Sequence, residues 1–200
     1  MLNLYLRQLY AIVKMKLKIS KMKYDIKSII NTGQKNKFLF FWGHQENKNN
    51  TISKSCLSQW YPVDFEVKGI VYKSAEHYMM AEKARLFKDE AVREKIIASK
   101  SPAAAKKLGR QVKNFDNVIW EENRYEIVKM GNYYKFLRNP EMAAFLLQTK
   151  NRILVEASPV DAIWGIGMAE DHENASNPSK WRGKNLLGFA MMSARDELMK

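Results

Sequence analysis

The sequence predicts a mostly helical α+β domain with a small sheet near its N-terminal third. Three observations carry this. Helix-start signals recur from Ser74 to Asn139-Pro140, whereas strand-type patterning is restricted to Lys37–Trp42, Asp64–Lys73 and Ile153–Glu156. Two hundred residues that are 46% apolar suffice for one substantial core and are too few for two full domains.

Residues 1–36 read as a basic N-terminal extension ahead of a domain over 37–200. Leu2, Leu4, Leu6, Leu9, Ile12 and Val13 precede the basic run Lys14 to Lys27. This is the pattern of an amphipathic helix lying on an acidic surface, or of an extension without a function of its own. Its likeness to a mitochondrial presequence is loose, with one Arg and few Ser. Lys37–Trp42 is a short aromatic strand, and the Asn-rich stretch Gln45–Ser55 reads as a surface loop. Phe65 and Val67 before Lys68-Gly69, with Ile70 and Tyr72 after it, mark a hairpin.

Ser74 is placed to cap a helix over about 75–87, and a further helical run follows from Asp89 to Ser99. Ser101-Pro102 opens a helix ending near Gly109, Asp116 caps the run 117–138, and Asn139-Pro140 starts another to Thr149. Ile153–Glu156 is a short strand, Ser158–Lys184 is rich in loop residues, and a helix over about 185–198 closes the chain.

Composition narrows the function classes. No stretch approaches the roughly 20 apolar residues of a membrane-spanning helix. Cys56 is the single cysteine, so neither an internal disulfide nor a cysteine-based zinc site can form, and a reducing, cytoplasmic setting is expected. His44, His77 and His172 lack metal-ligand spacing, and no phosphate-cradling glycine loop occurs, so neither metal nor cofactor is inferred. The net charge of +13 suggests nucleic acid, but residues 1–37 hold nine Lys or Arg against one Asp, leaving the body only +5. Such a body also suits an enzyme for phosphorylated substrates.

Glu76 and Lys83, seven residues apart on one helix, share a face with Met80 between them. Apolar surroundings would raise the carboxyl's pKa and lower the amine's, as acid/base or Schiff-base chemistry requires. Alternatively, Glu76 complements the helix dipole and Lys83 snorkels to water. Phe115 and Trp120 flank the Asp116 cap as a hydrophobic staple would, or the Trp120 indole walls a pocket for a planar base. Asp161, Trp164, Gly165 and Gly167 follow a strand and suit either a ligand loop or a turn with a core indole. Trp181-Arg182-Gly183-Lys184-Asn185 either caps a pocket or contacts phosphate, or only introduces the last helix.

Taken in order, several segments resemble the NADAR family of YbiA-like proteins. They are Phe41-Trp42-Gly43, Ser74-Ala75-Glu76-His77-Tyr78, Leu108-Gly109-Arg110, Trp120 with Phe136, Leu154-Val155-Glu156 with Asp161 and Trp164-Gly165, and Gly183 to Gly188. They span about residues 38 to 197. The resemblance implies a mainly helical fold and an N-glycosidase activity: YbiA-like members split ribose from the amino-pyrimidine of phosphorylated early riboflavin intermediates, and other members remove ADP-ribose from guanine. By position it makes Glu76 and Asp161 the essential acids, Trp120 the essential aromatic and Lys83 a candidate catalytic amine. Trp42, Gly43, Arg110, Trp164, Gly165, Lys184 and Asn185 are then expected to bind substrate. The basic extension and the longer Gln45–Ser58 loop depart from the bacterial type.

In the expected mechanism a carboxylate stabilises oxocarbenium-like charge at C1′, Glu76 or Asp161 activates water or protonates the base, and Trp120 orients that base. Arg110 or Lys184 holds phosphate. In a variant, Lys83 attacks the ring-opened sugar and forms an imine that borohydride would trap. The expected partner is a small phosphorylated ribosyl-base. The alternatives are an ADP-ribosyl hydrolase acting on guanine in nucleic acid, helped by the basic arm, and a binding module without catalysis.

Overall fold

The computed structural model describes residues 22–31, 36–45 and 51–200. Residues 1–21 and 32–35 of the segment read as an amphipathic helix or extension, and residues 46–50 of the Asn-rich loop, lie outside these. The strand-type run of the sequence forms β1 (Phe38–Phe41), and its partner comes from far along the chain. It pairs in parallel with β4 (Ile153–Glu156), Phe38 opposite Ile153 and Phe41 opposite Glu156. The hairpin is separate from this pair: β2 (Phe65–Val67) and β3 (Ile70–Tyr72) are antiparallel around Lys68 and Gly69. Both turn residues have positive φ, 52° and 80°, the two-residue turn whose twist matches the strands and in which glycine is unstrained.

The helix starts follow the capping chemistry of the sequence. Ser74 accepts from the His77 amide at the head of α2 (Ala75–Leu86), and Asp89 from Val92 at α3 (Glu90–Ala98). Ser101 accepts from Ala104 at α4 (Pro102–Gly109), and Asp116 from Ile119 at α5 (Asn117–Leu137). Asn139 departs from this pattern at α6 (Pro140–Gln148): its side chain makes no cap bond and donates instead to the carbonyls of Lys135 and Asp64. The closing helix is α7 (Leu186–Leu198).

Two short elements were not expected at these bounds. Asp25 and Ser28 form a reciprocal capping box that starts α1 (Ile26–Ile30), whose Ile29 enters the core; the Tyr24 hydroxyl donates to Asp196 on α7. Part of the segment read as an extension therefore packs on the body. Within the expected polar loop, Lys54–Leu57 makes a 3₁₀ turn with Cys56 and Leu57 fully buried.

α2 lies at the centre, packed by α3, α4 and α5, while α7 runs along α5 and covers β4. The segment after the 3₁₀ turn is held by polar groups of α5. The buried Lys135 donates to the carbonyls of Cys56 and Ser58 at 2.7 and 2.8 Å, and Asn132 donates to the Gln59 side chain at 3.0 Å. The core thus aims residues 58–60 at the start of α2, where the Glu76 amide donates to the Gln59 carbonyl. Among the described residues no helix is long and apolar enough to cross a membrane.

Candidate active site

A cleft of about 560 Å³ opens where α2, α4, the start of α5 and the end of β4 meet the segments around residues 42–44 and 58–60. Of the expected residues, Trp42, Gly43, Glu76, Lys83, Arg110, Trp120, Asp161 and Trp164 line it. Gly165, Lys184 and Asn185 do not. Gly165 is buried behind the loop, where a Cβ would lie 2.8 Å from the Glu156 carbonyl oxygen; Lys184 is exposed and outside the lining. Asn185 is fully buried and turned inward by a left-handed backbone, φ 51°, so that its side chain serves β4.

Glu76 sits in the first turn of α2, and helical geometry aims it into the cleft rather than to bulk water. It is 2% exposed, and its Oε1 has no hydrogen-bond partner. Burial raises its pKa from 4.5 to about 7, against the opposing pull of Lys106, a hydrogen bond from Trp60 and Arg110. Two turns on, Lys83 does not snorkel into open water. Its ammonium donates to the Gly109 carbonyl at 2.8 Å and lies 4.2 Å from the Phe115 ring centre and 5.7 Å from that of Trp120. Burial lowers its pKa. Trp120 is therefore a wall of the cleft, while Phe115 stacks edge-on against Phe87.

Asp161 is oriented by its own loop, its Oδ1 accepting the amides of Ile163 and Trp164, both at 2.8 Å. These bonds hold the Trp164 backbone next to the carboxylate. Four of the chain's five tryptophans, Trp42, Trp60, Trp120 and Trp164, line the cleft, and Trp42 at the rim is 58% exposed.

Several lining residues escaped the sequence reading. Lys106 lies one turn before Arg110 at the same edge, and that i, i+4 spacing was available as a signal. Trp60 rests 5.7 Å from both the Lys106 ammonium and the His44 ring; it follows a polar stretch with no periodicity to flag it. Glu156, the last residue of β4, joins Glu76 and Asp161 in the lining. Burial, followed by the charges of Asp161 and Glu76, raises its pKa from 4.5 to about 8.

The shape of this wall depends on close packing. Gly188 on α7 lies against the Leu154 carbonyl, and an added Cβ there would sit 2.1 Å from that oxygen and 2.6 Å from the Asn185 side chain. Gly188→Ala is expected to cost about 1–3 kcal/mol or more, read as a lower denaturation midpoint, because backbone rather than a flexible side chain must move.

The profile of the NADAR domain family matches residues 40–199. The chain belongs to the NADAR domain family. A mimivirus relative from Acanthamoeba polyphaga mimivirus, "N-glycosidase R617", is 43% identical over 166 residues, covering 80% of this chain and 96% of the relative. "Riboflavin biosynthesis protein VVA0006" of Vibrio vulnificus is 30% identical over 177 residues, 88% of this chain and 42% of that longer protein. The NMR structure of Escherichia coli YbiA superposes with a TM-score of 0.66 at 26% identity, over 83% of this chain and 87% of YbiA. Its NADAR membership accounts for the helical majority and the small sheet. The matched residues take in every side chain found in the cleft.

Proposed function

We propose that this chain is an N-glycosidase that hydrolyses the bond between ribose and base in a phosphorylated nucleotide-like small molecule, with early riboflavin intermediates as the substrate class. One observation carries the reading: carboxyls, indoles and cations converge in a single cleft of about 560 Å³. Cleavage at C1′ builds positive charge on the sugar, which the carboxyls of Glu76 and Asp161 stabilise while one of them takes the proton of the attacking water. Trp120 stacks on the base, a contact of roughly 1–3 kcal/mol in nucleic-acid binders. Lys106 and Arg110, together at one edge, hold the phosphate; this role passes from Lys184, which does not line the cleft. The names of the mimivirus and Vibrio relatives favour the same chemistry. The setting is cytoplasmic, in keeping with a buried free thiol at Cys56 whose pKa burial pushes up to about 11.

A second reading within the same site, removal of ADP-ribose from guanine, is favoured by the exposed Trp42, which offers another planar surface at the mouth. The half-buried amine of Lys83 likewise suits the imine route. All three are separated by one assay of the purified chain on a phosphorylated amino-pyrimidine riboside and on an oligonucleotide carrying ADP-ribosylated guanine. Free base and ribose phosphate from the riboside are expected. A sugar adduct on Lys83 after borohydride treatment would select the imine route, and release only from the oligonucleotide would select the second reading. Tight, steeply salt-dependent binding without any released base would leave a binding module.

A further inference from the structure

We infer that Glu156 is a third catalytic carboxyl of this cleft, the one that gives its proton to the departing base. The inference rests on the N-glycosidase reading above. Its first support is placement. Glu156 ends β4 at the cleft, keeping part of its surface open to it, while its Oε2 is enclosed and has no hydrogen-bond partner. A carboxylate kept only for structure would be expected to have partners, because burying an unpaired charge is costly. A carboxyl that keeps its proton avoids that cost.

The second support is the way this strand end is held. The Glu156 amide donates to Asn185 Oδ1 at 3.0 Å, and its carbonyl accepts the Ile166 amide at 3.0 Å. On one side Asn185 Nδ2 donates to the Leu154 carbonyl at 2.9 Å; on the other the Ala157 amide donates to the Phe41 carbonyl at 2.9 Å. Two bonds to Glu156 itself and two to Leu154 and Ala157 beside it, from three separate segments, thus fix this strand end, and the Asn185 side chain that makes two of them is fully buried. Such support around a group aimed into a cleft is what a positioned proton donor requires.

The charges complete the assignment. Burial, then Asp161, then Glu76 raise the Glu156 pKa to about 8, with Lys106 opposing, so the group is a neutral acid at neutral pH. The C1′–N bond breaks and its electron pair stays on the leaving nitrogen, which takes the Glu156 proton. The water oxygen bonds to C1′ and its proton goes to Glu76 or Asp161. Glu156, left as a carboxylate, is reprotonated from solvent once the products leave.

The test compares wild type and Glu156→Gln on two substrates: the amino-pyrimidine riboside phosphate, and a ribose phosphate carrying nitrophenolate, a leaving group that needs no proton. The Gln variant is expected to lose about 10²–10⁴-fold in kcat on the first and far less on the second. On the first substrate, wild-type kcat should fall as pH rises through about 8, and the variant should lack that limb. Difference infrared spectra at pH 7 should contain a protonated-carboxyl band that the variant removes, a readout independent of turnover. Equal losses on both substrates with an unchanged pH profile would mark a structural role and overturn the inference while leaving the N-glycosidase reading intact. Wild type releasing base from neither the riboside nor the oligonucleotide would overturn that reading, and this assignment with it.

Discussion

Glu76→Gln is expected to lower kcat by about 10²–10⁴-fold, with the fold intact and substrate still bound. Gln keeps the volume of the side chain, so α2 has no reason to shift, yet it can neither carry negative charge nor take a proton from water. The same substitution should change stability in a pH-dependent way. In the folded chain Glu76 titrates near 7 rather than 4.5, because burial disfavours its charge. Its contribution to stability is therefore fully present below about 4.5 and is lost as pH rises through about 7. Relative to wild type, the Gln variant should gain roughly 3 kcal/mol between those limits, since each pH unit of displacement corresponds to about 1.4 kcal/mol. Thermal melts at pH 4.5 and pH 8 check this: the variant's advantage should be larger at pH 8. A site that works at the expense of the fold is a common trade.

Lys135→Met should be the most damaging of the changes outside the cleft. Met matches the length of the lysine stem, but it leaves the carbonyls of Cys56 and Ser58 without the ammonium that now bonds both. Each buried acceptor left unpaired costs about 1–3 kcal/mol, which denaturant titration would read as a lower midpoint. Turnover should fall as well, although Lys135 does not line the cleft, because those carbonyls position Ser58, Gln59 and Trp60, which do. An unchanged midpoint would mean that the two Lys135 bonds add nothing net to what holds the segment 54–60.

What the sequence disclosed follows the range of the forces involved. Ser74, Asp89, Ser101 and Asp116 cap helices through bonds to amides three residues on, so their effect is legible locally. The hairpin at Lys68-Gly69 is local for the same reason. The pairing of β1 with β4 joins Phe41 to Glu156 and has no local signature. α1 is a single short helix within a lysine-rich segment, and its Ile29 is buried only because the rest of the chain supplies a surface. In the cleft, Glu76, Trp120 and Asp161 stood out in the sequence as acidic and aromatic groups at loop and helix starts. Glu156 reads only as the end of a strand and of a family segment, because its distinguishing feature, an enclosed oxygen with no partner, depends on residues from other segments. Asn185 and Lys184 are adjacent in sequence, yet the left-handed backbone at Asn185 sends one side chain inward to β4 while the other stays exposed.

In productive binding a ribosyl C1′ is expected to sit among the side chains of residues 76, 120 and 161. A crystal structure of Glu76→Gln with uncleaved amino-pyrimidine riboside phosphate tests this most directly. The base is expected against Trp120, the sugar between Asp161 and position 76, and the phosphate at Lys106 and Arg110. Substrate seated instead in the separate cavity of about 390 Å³ beside Tyr24 and Arg195 would contradict it.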